Sequence, residues 1–258
     1  MNHPFAVRGS TPLTLACLLA AQVFLVTAVY AESPTIDAVD LLAKADAIRF
    51  PKQDFQVGVS ISTQSPGHTA NVREYEILSK GNDQTLVKTT APAVDRGQIM
   101  LMKGRDLWVY MPNVSQPIRL PLAQRLTGQV ANGDLARANF TGDYAPVWLR
   151  EEQIGNEGYH VLELRAVDRG VTYHRVLYWI NKANQRPYQA EFYAVSGRLL
   201  KTCRYENFIE MDGELRPARL VMSDALHHDE VSVLEYRDLR SVSLPDKYFT
   251  KDYLKKLE

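Results

Sequence analysis

Two cysteines in 258 residues, Cys17 and Cys203, are too few for a disulfide framework. An excess of charge of one sign is missing as well. Thirty Lys and Arg balance thirty Asp and Glu, and no run of five like charges interrupts the mixture, so the electrostatic footprint of a nucleic-acid binder is absent. The sequence also lacks the motifs of common catalytic and cofactor chemistry: there is no Gly-x-Ser-x-Gly elbow, Gly-x-Gly-x-x-Gly turn, phosphate loop, His-Glu-x-x-His or Cys-x-x-Cys. No cofactor, no metal and no enzymatic activity are expected. What is present describes a globular chain able to bury a core. Hydrophobic residues make up 45%, and 13 Tyr, 8 Phe and 3 Trp beside many Val, Thr and Ile lean toward strands.

Residues 1–31 have the grammar of a secretory signal peptide. Arg8 is the one Lys or Arg among them, an uncharged run follows over residues 9–31, and Val29 and Ala31 stand at the minus-three and minus-one positions of a cut before Glu32. The competing reading is an uncleaved inner-membrane anchor, because about 19 apolar residues just cross about 30 Å of hydrocarbon. Lipidation at Cys17 is disfavoured: Thr14-Leu15-Ala16 lacks the branched aliphatic residue wanted three places before it. Cleavage leaves residues 32–258 as a single domain with Cys203 as its sole thiol. Its neighbours Lys201, Thr202, Arg204 and Tyr205 supply no activating base, so burial is its expected fate.

The hydrophobic period organises the mature chain. Ala38, Leu41, Leu42, Ala45 and Ile48 recur at helical spacing up to Phe50-Pro51, where Pro disfavours helix in the preceding residue. From Asp54 the period changes to two: Phe55, Val57, Val59 and Ile61 alternate with Gln56, Gly58, Ser60 and Ser62. Strand and turn then alternate almost to the end, giving about a dozen strands without helical crossovers. Such a sheet is antiparallel, and accumulated twist curls it. The predicted fold is mainly β with a few helices: a strongly curved antiparallel sheet, a partly closed barrel, with helices covering a hydrophobic inside.

Residues 121–144 interrupt the strand pattern, with a short helical piece expected at residues 122–126 followed by many small residues and breakers. A connection this long is expected to be a lid-like segment or an excursion packed over one barrel end. A short C-terminal helix with Phe249, Tyr253 and Leu257 on one face is expected to close the domain.

The candidate ligand-binding residues follow from apolar patterning. Phe55, Val57, Val59 and Ile61 form one face of the first strand. Leu107-Trp108-Val109-Tyr110 is apolar on both alternating sets, which implies burial on both faces, and Trp148 and Trp179 sit in similar strands. As core these residues need no ligand; as cavity walls Leu107, Trp108, Tyr110, Trp148 and Trp179 suit acyl chains, each buried CH₂ being worth about 0.8 kcal/mol. The pentapeptide Ala-Val-Asp-Arg-Gly occurs twice, from Ala93 and from Ala166. It reads as a tight turn, or as a way to set Arg96 or Arg169 at a cavity mouth, where a guanidinium pairs with a lipid phosphate or carboxylate. Arg96 is the chosen head-group contact. On a strand the adjacent His227 and His228 would point to opposite faces; in a turn both could face one metal, yet no third ligand is apparent.

These residues also carry a resemblance. Arg105-Asp106-Leu107-Trp108-Val109-Tyr110-Met111-Pro112, Ile118-Arg119-Leu120 and Asn132-Gly133-Asp134-Leu135-Ala136-Arg137-Ala138-Asn139-Phe140 resemble the outer membrane lipoprotein-sorting protein family, LolA/LolB-like periplasmic carriers. So do Ala45-Asp46-Ala47-Ile48-Arg49, Leu177-Tyr178-Trp179-Ile180-Asn181 and Leu199-Leu200-Lys201. The resemblance spans nearly all of residues 32–258. It implies an unclosed β-barrel whose helices plug a hydrophobic cavity, located in the periplasm. It further implies a carrier or chaperone that takes lipoprotein acyl chains or a lipid from an inner-membrane exporter of ABC or RND type, with transient membrane contact and no nucleic acid. A non-carrying adaptor of an envelope transporter is the alternative. A lipid-modifying enzyme would need His174, Asp95 or Ser196 to converge on one pocket.

Overall fold

The computed structural model describes residues 36–254 except Asn82, Asn113 and His228. The expected signal segment with Cys17, the histidine pair and Leu257 of the C-terminal helix therefore fall wholly or partly outside the described residues.

Helix α1 (Ala38–Arg49) begins where the Asp37 carboxylate accepts the Val39 and Asp40 amides at 2.9 and 3.1 Å, and it stops at Phe50-Pro51. Six strands follow: β1 (Phe55–Gln64), β2 (Asn71–Lys80), β3 (Gln84–Ala91), β4 (Ile99–Lys103), β5 (Asp106–Tyr110) and β6 (Ile118–Leu120). A small hairpin, β7 (Arg125–Thr127) with β8 (Val130–Ala131), leads into helix α2 (Asn132–Ala136). Seven further strands complete the sheet: β9 (Tyr144–Ile154), β10 (Glu157–Ala166), β11 (Arg175–Asn181), β12 (Pro187–Tyr193), β13 (Leu199–Met211), β14 (Glu214–Asp224) and β15 (Val231–Ser241). A 3-10 turn at Asp246–Phe249 and helix α3 (Lys251–Leu254) follow. Among the described residues no helix is long and apolar enough to cross a membrane.

Thirteen strands form one antiparallel sheet in the order β6-β5-β4-β3-β2-β1-β15-β14-β13-β12-β11-β10-β9. Each hairpin folds onto its predecessor, and the chain closes on itself where β1 pairs with β15, Ile61 opposite Leu234 and Val59 opposite Tyr236. The sheet's two edges, β6 and β9, do not pair, so the barrel is unclosed. Its curl is visible in what touches its inner side. Helix α1 packs on β9, β12 and β14 while α2 packs on β3 and β4, and residues from both wings join one core.

Residues 121–144 correct one expectation. Helix forms at Asn132–Ala136 rather than at residues 122–126, because Leu122 is drawn into the core and the chain spends residues 125–131 on the β7–β8 hairpin. That hairpin is fixed by a close approach. Gly128 sits at φ +48°, and a Cβ there would lie 2.2 Å from Ser232 Oγ and 2.3 Å from Thr63 Oγ1. The space goes instead to hydrogen bonds: Ser232 Oγ accepts the Gln129 amide at 2.9 Å and lies 3.0 Å from Thr63 Oγ1.

Candidate ligand-binding interior and its closure

The inner wall grows from strand alternation. Phe55, Val57, Val59 and Ile61 are all buried on the inner face of β1, beside Tyr75 and Ile77 of β2 and Leu234 and Tyr236 of β15. The other wing contributes Leu162, Leu164, Tyr178, Phe192, Cys203 and Tyr205. Leu107 joins this wall from β5. Two pieces of chain fill the space inside. Helix α1 lays Leu41, Leu42 and Ala45 against the wall, and segment 121–144 adds Leu122, Val130, Leu135, Ala136, Phe140 and Tyr144. Small voids lie there among the described residues, about 20 Å³ between Phe55, Val57, Leu135 and Tyr236, and about 20 Å³ between Arg49, Phe140, Tyr173 and Tyr205.

Three buried acids pin these pieces. Asp46 of α1 accepts the Phe140 amide at 2.9 Å, and the Thr141 amide and hydroxyl at 2.7 Å each. Arg49 lies 3.3 Å from it, with its guanidinium 4.7 Å from the Phe140 ring centre and 5.3 Å from that of Tyr205. Burial pushes the Asp46 carboxyl above its ordinary value, against the pull of Arg49 and of the Thr141 and Phe140 donors. The second acid is Asp134. It accepts from Lys201 Nζ at 2.6 Å, the Tyr173 hydroxyl at 2.9 Å and the Ala131 amide at 2.8 Å, while Lys201 also donates to the Gln129 carbonyl at 2.6 Å. Lys201 is buried, with Nζ 5.1 and 5.2 Å from the centres of Tyr173 and Phe192. The third acid, Asp143, accepts from Arg105 at 3.0 Å and from Arg137 Nη2 at 2.9 Å. Arg137 also donates to the Gly104 carbonyl at 3.1 Å, tying the segment to the β4–β5 turn.

The closed interior leaves polar atoms unpaired. Among the described residues, Asn139 Oδ1 and Gln129 Nε2 are buried there without a hydrogen-bond partner from the chain. Two open clefts flank residue 123, meeting at Tyr173 and Leu200. One, of about 430 Å³, runs past Gln129, Lys201, Leu226 and His227; the other, of about 720 Å³, runs past Val171, His174, Tyr193 and Val195.

The structure separates the sequence-predicted residues. Phe55, Val57, Val59, Ile61 and Leu107 face inward together. Trp108 and Tyr110 do not: Tyr110 packs on the outer face with Leu86, Ile99, Leu101, Phe249 and Leu254, and Trp108 lies beneath Lys251 Nζ at 4.1 Å. Trp179 is also outside, in a cluster with Tyr159 and Val161. The reason is alternation: when both sets of a strand are apolar, the sheet is covered on both sides, and the aromatic set took the outer side here. Trp148, on edge strand β9, is 37% exposed, and its indole N–H donates to His160 Nδ1 at 3.4 Å. Arg96 sits in the exposed β3–β4 turn and donates to the Thr90 carbonyl at 3.1 Å, away from the interior. Asp46, Arg49, Asp134 and Lys201 were not singled out from sequence. For Lys201 a signal existed: it shares strand parity with the buried Cys203 and Tyr205.

Among the described residues no cluster of three His, Cys, Asp or Glu side chains could hold a metal. Nor do the acid–base candidates meet. Asp95 pairs with Arg73, Ser196 lies on an exposed tip, and His174 alone lines the 720 Å³ cleft.

Comparison with known proteins places the fold. A LolA superfamily protein from Nitrosomonas europaea is 62% identical over 84% of this chain and 99% of that one, with a TM-score of 0.82. A DUF1329 family protein from Desulfovibrio piger is 22% identical over 84% of this chain and 97% of its own, with a TM-score of 0.73. A protein domain described as outer membrane lipoprotein-sorting, from Vibrio parahaemolyticus, is 22% identical over 84% of this chain and 98% of its own, with a TM-score of 0.71. These last two share the fold. A family model described as "-like: Uncharacterized protein" matches residues 81–256. Curated proteins give no match. With the half-barrel, its inner plug and 62% identity across almost the whole of one relative, this chain belongs to the LolA superfamily.

Proposed function

We propose that the protein is a periplasmic carrier that holds a hydrophobic ligand, a lipid or the acyl chains of a lipoprotein, inside the half-barrel between an inner-membrane exporter and the outer membrane. One observation carries this reading. The apolar inner wall is covered by α1 and residues 121–143, and neither joins the thirteen-stranded sheet; both are held by buried polar contacts at Asp46, Asp134 and Asp143. A cover of this kind lifts without breaking the barrel. A 14-carbon chain entering in its place gains on the order of 10 kcal/mol before ordering costs, at about 0.8 kcal/mol per CH₂. That gain is of the size needed to displace a few buried pairs. The Vibrio parahaemolyticus domain, described as lipoprotein-sorting, supports the same cargo class. No step of this function asks for a catalytic group.

A second reading, an adaptor that serves an envelope transporter without cargo, is favoured by the packed interior, whose voids are about 20 Å³. Native mass spectrometry of protein purified gently from the periplasm, with lipid extraction of the same sample, separates the two. A stoichiometric added mass that extracts as lipid or acylated peptide is the expected result. A clean apo mass that takes up no added lipid supports the adaptor.

A further inference from the structure

The repeated pentapeptide leads to a surface that the interior does not explain. Antiparallel hairpins place their turns at alternate ends of a sheet, so the β3–β4, β14–β15, β12–β13 and β10–β11 turns share one end of the half-barrel. In sheet order, neighbouring hairpin tips stand about 10 Å apart, two strand spacings. Each of these four tips presents a small residue followed by a bare aliphatic side chain. Val94 is 86% exposed, Val195 81%, Leu226 65% and Val167 54%. A basic residue follows each: Arg96 and Arg169 at two positions on, Arg198 at three, and His227 directly after Leu226. Thus the two copies of Ala-Val-Asp-Arg-Gly, together with Ala194-Val195-Ser196-Gly197-Arg198 and Ala225-Leu226-His227, are variants of one arrangement at one end. The β1–β2 turn between them, Ser65-Pro66-Gly67-His68, carries no aliphatic tip.

The acids of these tips are turned to local use. Asp95 pairs with Arg73, Asp168 accepts the Gly170 amide at 2.7 Å, and Asp224 accepts the Leu226 and His227 amides at 2.7 and 2.9 Å. Glu230 lies 3.9 Å from Arg125; Asp229 is exposed. Among the described residues no carboxylate pairs with Arg96, Arg169 or Arg198. The opposite end differs. Its turns, Gly104-Arg105, Gly155-Asn156 and Asp212-Gly213 among them, are polar, and its exposed aliphatics, Ile209 and Leu215, sit on strands rather than at tips.

We propose that this end of the half-barrel is a docking rim for an anionic phospholipid bilayer: the four aliphatic tips enter the head-group boundary while the arginines beside them pair with lipid phosphates. Isolated Val and Leu side chains spaced around a rim suit a fluid interface, whereas protein hot spots favour clustered Trp, Tyr and Arg and are poor in Val and Leu. The guanidinium's fork matches phosphate oxygens, and unpaired arginines leave it free to do so. Both clefts that flank residue 123 reach this rim, through Arg198 and Leu226 in one and Arg169 and Val195 in the other. The inference deepens the carrier reading, since it sets the interior's two approaches against the membrane.

Vesicle flotation of the purified protein tests it. Wild type is expected to float with vesicles of phosphatidylcholine containing phosphatidylglycerol, weakly with phosphatidylcholine alone, and less as salt rises. Each of Arg96→Gln, Arg169→Gln and Arg198→Gln is expected to weaken binding about fivefold. Val94→Ser, Val167→Ser, Val195→Ser and Leu226→Ser combined are expected to abolish it. Ile209→Ser with Leu215→Ser, at the other end, is the control that leaves it unchanged. All are exposed positions, and an unchanged urea midpoint confirms folding. Wild type that ignores both vesicles, binds both equally, or keeps its binding in the rim variants overturns the proposal. So does a rim that is needed only for a protein acceptor, seen as slowed cargo transfer without vesicle binding. Native mass spectrometry of the same variants keeps the two readings apart: cargo retained by protein that never floats sinks the rim and spares the carrier.

Discussion

The half-barrel is covered on both faces, and the two covers are built from different chemistry. On the outer face the C-terminal segment packs Leu244, Phe249 and Leu254 on Leu86, Ile99, Leu101 and Tyr110, with its polar contacts at the margin, where Lys80 Nζ donates to the Leu244 carbonyl at 2.8 Å and pairs with the exposed Asp246. On the inner face, α1 and segment 121–144 join a much larger apolar cluster but carry Asp46, Arg49, Asp134 and Asp143 into the contact, where Asp134 meets Lys201 of β13. Buried ion pairs add little net stability over apolar packing of the same shape, while losing one partner strands the other's charge. On the carrier reading, the comparison teaches that the outer cover serves the fold and the inner cover is the part that gives way to cargo.

Four substitutions break or sharpen this contrast. The largest effect is expected from Val57→Asp, which sets a carboxylate at a fully buried point of the inner wall. Several kcal/mol of stability are lost, and whatever folds retains less lipid in native mass spectra; unchanged retention would refute the inward facing of β1. Next comes Lys201→Met. It strands Asp134 without its cation and costs about 3–5 kcal/mol, read as a lower urea midpoint together with faster hydrogen exchange at Gln129 and Ala131.

Leu254→Ala on the outer cover costs about 2–5 kcal/mol. Unlike Lys201→Met, it is expected to leave lipid retention in the folded fraction untouched, and a loss of retention would erase the distinction between covers. The smallest effect concerns Cys203, whose thiol burial pushes up to about 12. The unfolded thiol ionises near about 8.5 while the folded one does not, so stability present below about 8.5 declines as pH rises toward 12. Between about 8.5 and 10, before unfolded tyrosines ionise, urea midpoints of wild type should fall with pH and those of Cys203→Ala should not. The same thiol resists alkylation at pH 8 while the interior is shut.

Much of the fold was legible because its signals are local. The alternation in Phe55, Val57, Val59 and Ile61 marked one strand with one apolar face, and Phe50-Pro51 ended α1 where the chain turns. The curl of the sheet follows from strand number and twist, and its unclosed edges are what the family resemblance implies. Facing failed where alternation carried no contrast. Leu107-Trp108-Val109-Tyr110 and Tyr178-Trp179 are apolar on both sets, and only the C-terminal cover and the Tyr159–Val161 cluster decide that Trp108, Tyr110 and Trp179 lie outside. The pins were illegible for a different reason. Asp46 meets Thr141 across 95 positions of sequence and Lys201 meets Asp134 across 67, so neither partner marks the other by spacing. The length of segment 121–144 announced a cover; which acids hold it is a tertiary fact.

The most direct test of the account is hydrogen exchange along the chain with and without bound lipid. The account predicts that loading with phospholipid strips protection from the amides of Ala131, Phe140 and Thr141, which Asp134 and Asp46 hold, and from that of Gln129, held by Ser232 Oγ, while residues 244–254 and the β1–β15 ladder exchange as before. Lipid bound at full stoichiometry with the protection of segment 121–144 unchanged would contradict it, and would mean that the cargo site lies elsewhere on the molecule.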